Sequence, residues 1–142
     1  MEICSFSVLL DLILNGTKKR TMRSSKSKKW KRIYAKWLKG KGKIPIYIQI
    51  YWKHRTKESK KLFDAKITDM EIKCLSQLTE DELKLDGFLD REQCYAFFYK
   101  NYKNDSAIQK RKENTGTFEV FIIQFEKIHL KPSKQSIQKT LI

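Results

Sequence analysis

The segment 117–128, TFEVFIIQFEKI, carries apolar side chains on both faces of a β-strand. A strand of this kind must be covered on both sides, because either face would otherwise expose hydrophobic surface to water. We therefore expect 117–128 to lie centrally in a sheet or barrel. The chain has 142 residues, of which 40% are hydrophobic, which suffices for one core built around this strand.

Hydrophobic periodicity and capping residues predict the remaining elements. Apolar residues recur at helical spacing over 5–15, with Ser5 suited to the N-cap and Asn15-Gly16 to the C-terminal end. In chain order we expect helix 5–15, strand 17–23, helix 30–38, strand 44–52, strand 62–75 bent near Thr68-Asp69, helix 79–85, a longer helix capped by Asp90, loop 104–115 and strand 117–128. This order predicts one α+β domain over 1–130 with a curled sheet, followed by a polar tail over 131–142.

The positive charge of the chain is concentrated in one third of its length. The formal net charge is +15, yet no acidic residue lies between Asp11 and Glu58, an interval that holds 16 Lys and Arg residues. Such an interval predicts a polyanionic partner, with a solvated face that only aids solubility as the alternative. A membrane surface is disfavoured, because the interval shows strand alternation rather than one sustained amphipathic helix.

Aromatic residues interleave with these charges. Basic groups neutralise phosphates and aromatic faces stack on unpaired bases, so the mixture favours single-stranded or looped RNA over a regular duplex. Trp30, Tyr34 and Trp37 also stand at i, i+4 and i+7, a spacing typical of rings on the core side of a helix. The candidate nucleic-acid-binding residues are Lys18, Lys19, Arg20, Thr21, Arg23, Lys26, Lys28, Lys29, Trp30, Lys31 and Arg32.

The sequence carries no pattern for a metal or an organic cofactor. The sequence has three widely spaced cysteines, Cys4, Cys74 and Cys94. An odd number without close pairs disfavours a disulfide framework and a structural zinc site. The longest apolar stretch is far below the roughly 20 residues that cross a membrane. We therefore expect an intracellular, cytoplasmic protein with reduced thiols. In a cell with a nucleus, the Ser- and Lys-rich loop over 24–29 would also suit a nuclear-localisation signal.

Several motifs resemble the ASCH domain family, which is related to the PUA fold. Ile13-Leu14-Asn15-Gly16, followed by Lys18, Thr21 and Arg23, is similar to the signature I-L-x-G-x-K-x-x-T-x-R. The resemblance spans about residues 6–128 and continues through 65–68, 75–79, Asp86-Gly87-Phe88 and 121–128. Two departures are Lys19, where the family usually has Thr, and the basic segment 40–43, where it usually has Gly-Asp.

The resemblance implies a small mixed PUA-like β-barrel flanked by two or three helices, with a cleft between the first helix and the barrel. It further implies that this cleft binds RNA or a nucleotide-like ligand. Our leading interpretation is therefore an RNA-binding module in which segment 18–57 captures the polyanion. An adaptor for acidic protein partners fits the resemblance less well.

The alternative is a small hydrolase acting on a modified nucleoside or on RNA. Some bacterial members of the family are acetylcytidine amidohydrolases that use a Lys, a Thr and an acidic residue. Lys18 and Thr21 match the first two, and Asp86 falls where the acid would be, although those enzymes use Glu. Thr21 would be the nucleophile, Lys18 the base or oxyanion partner, and Asp86 would position them.

Overall fold

The apolar strand near the C-terminus lies inside one sheet in a computed structural model of the chain, which describes residues 1–7, 9–102 and 112–128. The strands are β1 (Glu2–Phe6), β2 (Arg20–Ser24), β3 (Tyr47–Trp52), β4 (Lys60–Cys74) and β5 (Glu119–Lys127). The helices are α1 (Leu10–Leu14), α2 (Lys28–Lys39), α3 (Glu80–Leu85) and α4 (Arg91–Tyr102), with 3₁₀ turns at Leu75–Gln77 and Lys112–Thr117. The strand order β1-β3-β4-β5-β2 pairs β5 on both sides, as expected.

The long strand β4 gives the sheet its curl. Its first half pairs with β3 and its second half with β5, both antiparallel. The register shifts between Ile67 and Asp69, where the sequence predicts a bend. Such a bulge increases local twist and bends the strand. The predicted α+β class with a curled sheet is confirmed.

Both faces of the sheet are covered, which explains the apolar pattern of β5. Phe121 and Ile123 lie in a core shared with Trp30 of α2, which we call the α2 core. Val120 and Ile122 lie in a second core with residues of α3 and α4, which we call the α4 core. Alternate residues of one strand therefore enter different cores, and neither face of β5 can be polar.

The N-terminus differs from the helix expected over 5–15. Residues Glu2–Phe6 form β1 in parallel with β3, and the helix is reduced to α1. Ser5 as an N-cap is therefore wrong; α1 begins after Leu9, which adopts a left-handed φ of 64°. The expected end at Asn15-Gly16 is confirmed, with Asn15 as the C-cap. Parallel pairing with a distant strand outweighs local helical spacing here.

The other helices begin at the residues that cap them. The Ser27 side chain accepts a hydrogen bond from the Trp30 amide, so α2 starts two residues before the expected position. Thr79 and Glu82 form the predicted capping box of α3. The Asp90 carboxylate accepts a hydrogen bond of 2.8 Å from the amide of Gln93, in the first turn of α4, as an N-cap would.

The expected strands are confirmed with shifted ends. Strand 17–23 begins only at Arg20, and strand 44–52 only at Tyr47. Ile48 and Ile50 are buried as their alternation predicts, whereas Ile44 is exposed. The polar tail 131–142 and most of loop 104–115 lie outside the described residues.

Candidate functional site

A cleft of about 540 Å³ lies where the two edge strands of the sheet approach each other. Its walls come from the end of β1, from β2 and from the segment that joins α3 to α4. Arg23 of β2 spans the gap, because its Nη2 donates to the carbonyl oxygen of Ser5 at 2.8 Å. Leu9, directly before α1, also lines the cleft.

Lys18, Thr21 and Asp86, the residues of the hydrolase hypothesis, all line this cleft. Lys18 and Thr21 lie just before and within β2, and Asp86 is the C-cap of α3. The Lys18 Nζ lies 4.0 Å from Asp86 Oδ1 and donates to the Arg20 carbonyl oxygen at 2.7 Å. Asp86, which is distant in sequence from Lys18 and Thr21, therefore meets them in one cavity.

Asp86 is held mainly by Arg20. The Arg20 Nε lies 3.0 Å from both carboxylate oxygens of Asp86, and its Nη2 lies 2.9 Å from Oδ2. The Asp86 side chain is only 2% exposed, so this charge-assisted contact fixes the carboxylate away from solvent. Arg20 Nη2 also lies 3.4 Å from Glu82 Oε2, which ties β2 to α3. The guanidinium of Arg20, expected to contact nucleic acid, is thus occupied by carboxylates.

The Lys18 ammonium is buried, and this burial is the largest influence on its pKa. Desolvation lowers the pKa of Lys18 from 10.5; the Asp86 carboxylate opposes this shift, and Arg23 and Arg20 reinforce it. Two basic residues follow Lys18 directly in the sequence; Arg20 contributes to the lowered pKa, but burial of Lys18 contributes more. A lysine with a lowered pKa is neutral more often and can then accept a proton.

The hydroxyl of Thr21 is oriented by Arg23. The Arg23 Nε donates to Thr21 Oγ1 at 3.1 Å, while its guanidinium lies 5.2 Å from the ring centroid of Phe6. A threonine oxygen that accepts one hydrogen bond still carries its own hydrogen and can donate it. The arrangement therefore leaves Thr21 able to donate to a ligand in the cleft.

One wall of the cleft is aromatic. The ring centroids of Phe88 and Phe97 lie 5.7 Å apart, and Phe97 is 49% exposed. Its helical spacing with Cys94 and Phe98 predicts a core position; those two are buried, but Phe97 lines the cleft. Spacing alone does not separate a core ring from a cleft ring at the edge of the same helix face. Exposed aromatic rings of this kind suit a flat, conjugated ligand.

Five of the candidate nucleic-acid-binding residues have exposed side chains: Lys19, Lys26, Lys28, Lys31 and Arg32. Helix α2 contains no acidic residue, and its exposed cations include Lys36 and Lys39 as well. Arg32 forms an ion pair with Glu2 at the start of β1. The exposed lysines of α2, which are Lys28, Lys31, Lys36 and Lys39, are called the α2 lysines below.

Lys29 and Trp30 hold α2 in place. Trp30 is 3% exposed within the α2 core, so its ring offers no face to a base, and we leave it out of the interface. The Lys29 Nζ donates to the Ile3 carbonyl oxygen in β1. Desolvation is the largest influence on the pKa of Lys29 and lowers it.

The described parts of the chain contain no group of three His, Cys, Asp or Glu side chains placed to hold a metal ion. In those parts, no helix combines the length and apolarity needed to cross a membrane. Cys4, Cys74 and Cys94 are free thiols.

Two solved structures resemble this chain. A protein from Enterococcus faecalis V583, described as DUF984, aligns over 94% of this chain and 81% of its own, with 18% identity and a TM-score of 0.59. An ASCH domain from Lactobacillus crispatus JV V101 aligns over 89% and 79%, with 13% identity and a TM-score of 0.43. No protein-family model and no curated protein matches the chain. The chain thus shares its fold with the Enterococcus faecalis protein, and an ASCH domain is among its structural neighbours.

Proposed function

We propose that this chain binds single-stranded RNA, with the α2 lysines on the phosphates and the cleft around an unpaired base. The observation that carries the proposal is the surface of α2, which exposes four lysines on a helix that has no acidic residue. Release of counterions from phosphates is the main driving force that such a surface provides. Helix α2 lies within the interval between Asp11 and Glu58 that has no acidic residue, which also favours a polyanionic partner.

The cleft lies close enough to α2 for one RNA strand to contact both. Three residues separate the end of β2 from the start of α2, and Arg23 near the end of β2 lines the cleft. The cleft volume of about 540 Å³ lies within the range of ordinary ligand pockets. Phe88 and Phe97 supply a stacking surface, and the Thr21 hydroxyl supplies a polar contact.

The salt dependence of binding tests this proposal. We would titrate a fluorescein-labelled RNA decamer and follow its anisotropy at several salt concentrations. The variant Lys28→Gln/Lys31→Gln/Lys36→Gln should bind more weakly than wild type. Its log–log salt slope should be shallower by about 2, because each lost phosphate contact on a single strand changes the slope by about 0.7.

A variant with the same charge change elsewhere is the matched control. Lys60, Lys84 and Lys100 are exposed and lie outside α2. Their combined change to Gln should leave the slope close to that of wild type. A wild-type slope near zero, or equal effects of the two triple variants, would contradict the proposal.

Amide hydrolysis is a second candidate, favoured by the meeting of Lys18, Thr21 and Asp86 in one cleft. In this reaction the Thr21 Oγ would attack the acyl carbon of a substrate such as N4-acetylcytidine, and Lys18 would accept the hydroxyl proton. The amine leaves with a proton, and water then releases acetate from the threonine ester. Because Arg20 already binds both oxygens of Asp86, this carboxylate would act through its charge on Lys18.

The release of cytidine from N4-acetylcytidine tests the second candidate. Thr21→Val should abolish turnover, while Thr21→Ser, which keeps the hydroxyl, should retain part of it. RNA affinity measured in parallel should fall far less than turnover in Thr21→Val, because the contacts of the α2 lysines with phosphates remain. Absence of turnover by the wild-type chain would exclude this substrate and leave RNA binding unaffected.

A further inference from the structure

A second cavity, of about 440 Å³, lies between α2 and the paired ends of β4 and β5. Its helix side is a single stripe at i, i+3, i+4 and i+7, formed by Lys31, Tyr34, Ala35 and Leu38. We call this cavity the α2 groove. It shares no lining residue with the cleft described above.

The floor of the α2 groove is apolar and in part exposed. Ile72 of β4 is in register with Phe121 of β5, so their side chains share the face of the sheet that α2 covers. The Tyr34 ring packs on Phe121 with centroids 5.1 Å apart. Leu38 and Ile72 remain 56% and 39% exposed. A flat ring inserted between them would remove apolar surface from water.

The charges at the rim favour a nucleotide as the occupant. Lys31 belongs both to the groove and to the α2 lysines, so a phosphate held there would place its attached base at the floor. Lys26 lines the same rim. Ser25, which lines the groove, lies in the turn after β2 and two residues from Arg23 in the cleft wall, so their Cα atoms are at most about 7 Å apart. One RNA strand can therefore enter both cavities.

A single acidic residue, Glu119, also lines the groove. It lies two residues before Phe121 in β5 and is exposed, so both side chains emerge on the same face. A carboxylate accepts hydrogen bonds and cannot donate them. It pairs with the exocyclic amino group of cytosine or adenine and repels the carbonyl oxygen that uracil has at the corresponding position.

We infer that the α2 groove is a second nucleotide subsite, in which Glu119 selects a base that carries an exocyclic amino group. This inference rests on the proposed RNA binding and adds to it a site and a base preference. Wild type should bind oligocytidylate and oligoadenylate decamers about fivefold or more tightly than oligouridylate, the effect of one base-specific contact.

Two variants test the subsite separately from the electrostatic surface. Ala35→Trp adds a large side chain at an exposed helical position and fills the groove without changing charge. It should weaken binding of oligocytidylate about fivefold or more, with an unchanged salt slope. Glu119→Gln should reduce the preference for oligocytidylate over oligouridylate, because an amide both donates and accepts. Glu92→Gln, an exposed acid on α4, is the control with the same charge change and should keep the preference.

The outcomes separate the inference from the proposed function. If wild type binds with a steep salt slope but Ala35→Trp and Glu119→Gln behave like wild type, the groove is not a subsite and RNA binding stands. If wild type binds no decamer at any salt concentration, both fail. If labelled poly-glutamate binds as tightly as RNA and loses affinity in Ala35→Trp, the groove takes acidic peptides and the inference is overturned. Circular dichroism melting would establish that each variant is folded. If Ala35→Trp does not fold, Glu119→Gln alone tests the subsite.

Discussion

Lys18 is a cation held inside the protein, and its effect on stability should depend on pH. Between its lowered folded pKa and the ordinary value of 10.5, Lys18 carries fewer protons in the folded chain than in the unfolded chain. Unfolding then takes up protons, so the contribution of Lys18 to stability is complete above 10.5 and is lost as the pH falls through the folded pKa.

Lys18→Met removes this titration. The free energy of unfolding of wild type minus that of Lys18→Met should rise as the pH increases toward 10.5 and level off above it. Urea denaturation at a series of pH values measures this difference. Lys19→Met, at the exposed neighbouring residue, is the control with the same change of side chain. A difference for Lys18→Met that falls with pH would contradict desolvation as the largest influence on the pKa of Lys18.

At the scale of single residues, the sequence predicts which side chains line the cleft better than it predicts what each of them contacts. The motif resemblance points to Lys18, Thr21 and Asp86, and the fold brings all three into one cleft. The bidentate Arg20 contact with Asp86 could not be predicted, because it joins two elements whose relative placement depends on the whole sheet. The exposure of Phe97 could not be predicted either, because it depends on how α4 packs.

The capping box at Thr79 and Glu82 begins the helix that carries Asp86 to the cleft. The Thr79 side chain accepts from the Glu82 amide at 3.1 Å, and the Glu82 carboxylate accepts from the Thr79 amide at 3.2 Å. Thr79→Ala should lower the free energy of unfolding by about 1 kcal/mol, as for other lost N-caps. Urea denaturation measures this loss, and Thr17→Ala, at an exposed residue outside any helix or strand, should cost less. Equal losses in both variants would show that the cap does not stabilise the fold.

At the scale of elements, the sequence predicts the features that neighbouring residues form, such as helix caps and bends in a strand. The capping residues of α3 and α4 and the bend in β4 are visible in the sequence because neighbouring residues form them. Strand β1 is not visible, because its partner β3 lies more than 40 residues away and its own spacing is helical. Propensity and periodicity cannot compete with a parallel pairing that buries Cys4 and Phe6.

At the scale of the whole molecule, the structure divides the cations of the basic interval into two groups that composition does not separate. Arg23 and Lys29 donate to the carbonyl oxygens of Ser5 and Ile3 and thereby connect the edge strand β1 to β2 and α2. The α2 lysines instead project into solvent. Part of the charge thus closes the open side of the curled sheet, whereas the charge of the α2 lysines lies at the surface.

This closure predicts how the fold responds when Arg23 is removed. Arg23→Met should lower the free energy of unfolding by about 1.5–3 kcal/mol, since it deletes hydrogen bonds from a charged donor to the Ser5 carbonyl and the Thr21 hydroxyl. Amide hydrogen exchange in β1 should accelerate, because β3 then remains its main partner. Arg32→Met is the comparison, since Arg32 also contacts β1 but through an exposed ion pair with Glu2 that is worth at most about 1 kcal/mol. If the two variants lost equal stability and left β1 exchange unchanged, the edge strands would be held together by the sheet and its cores alone.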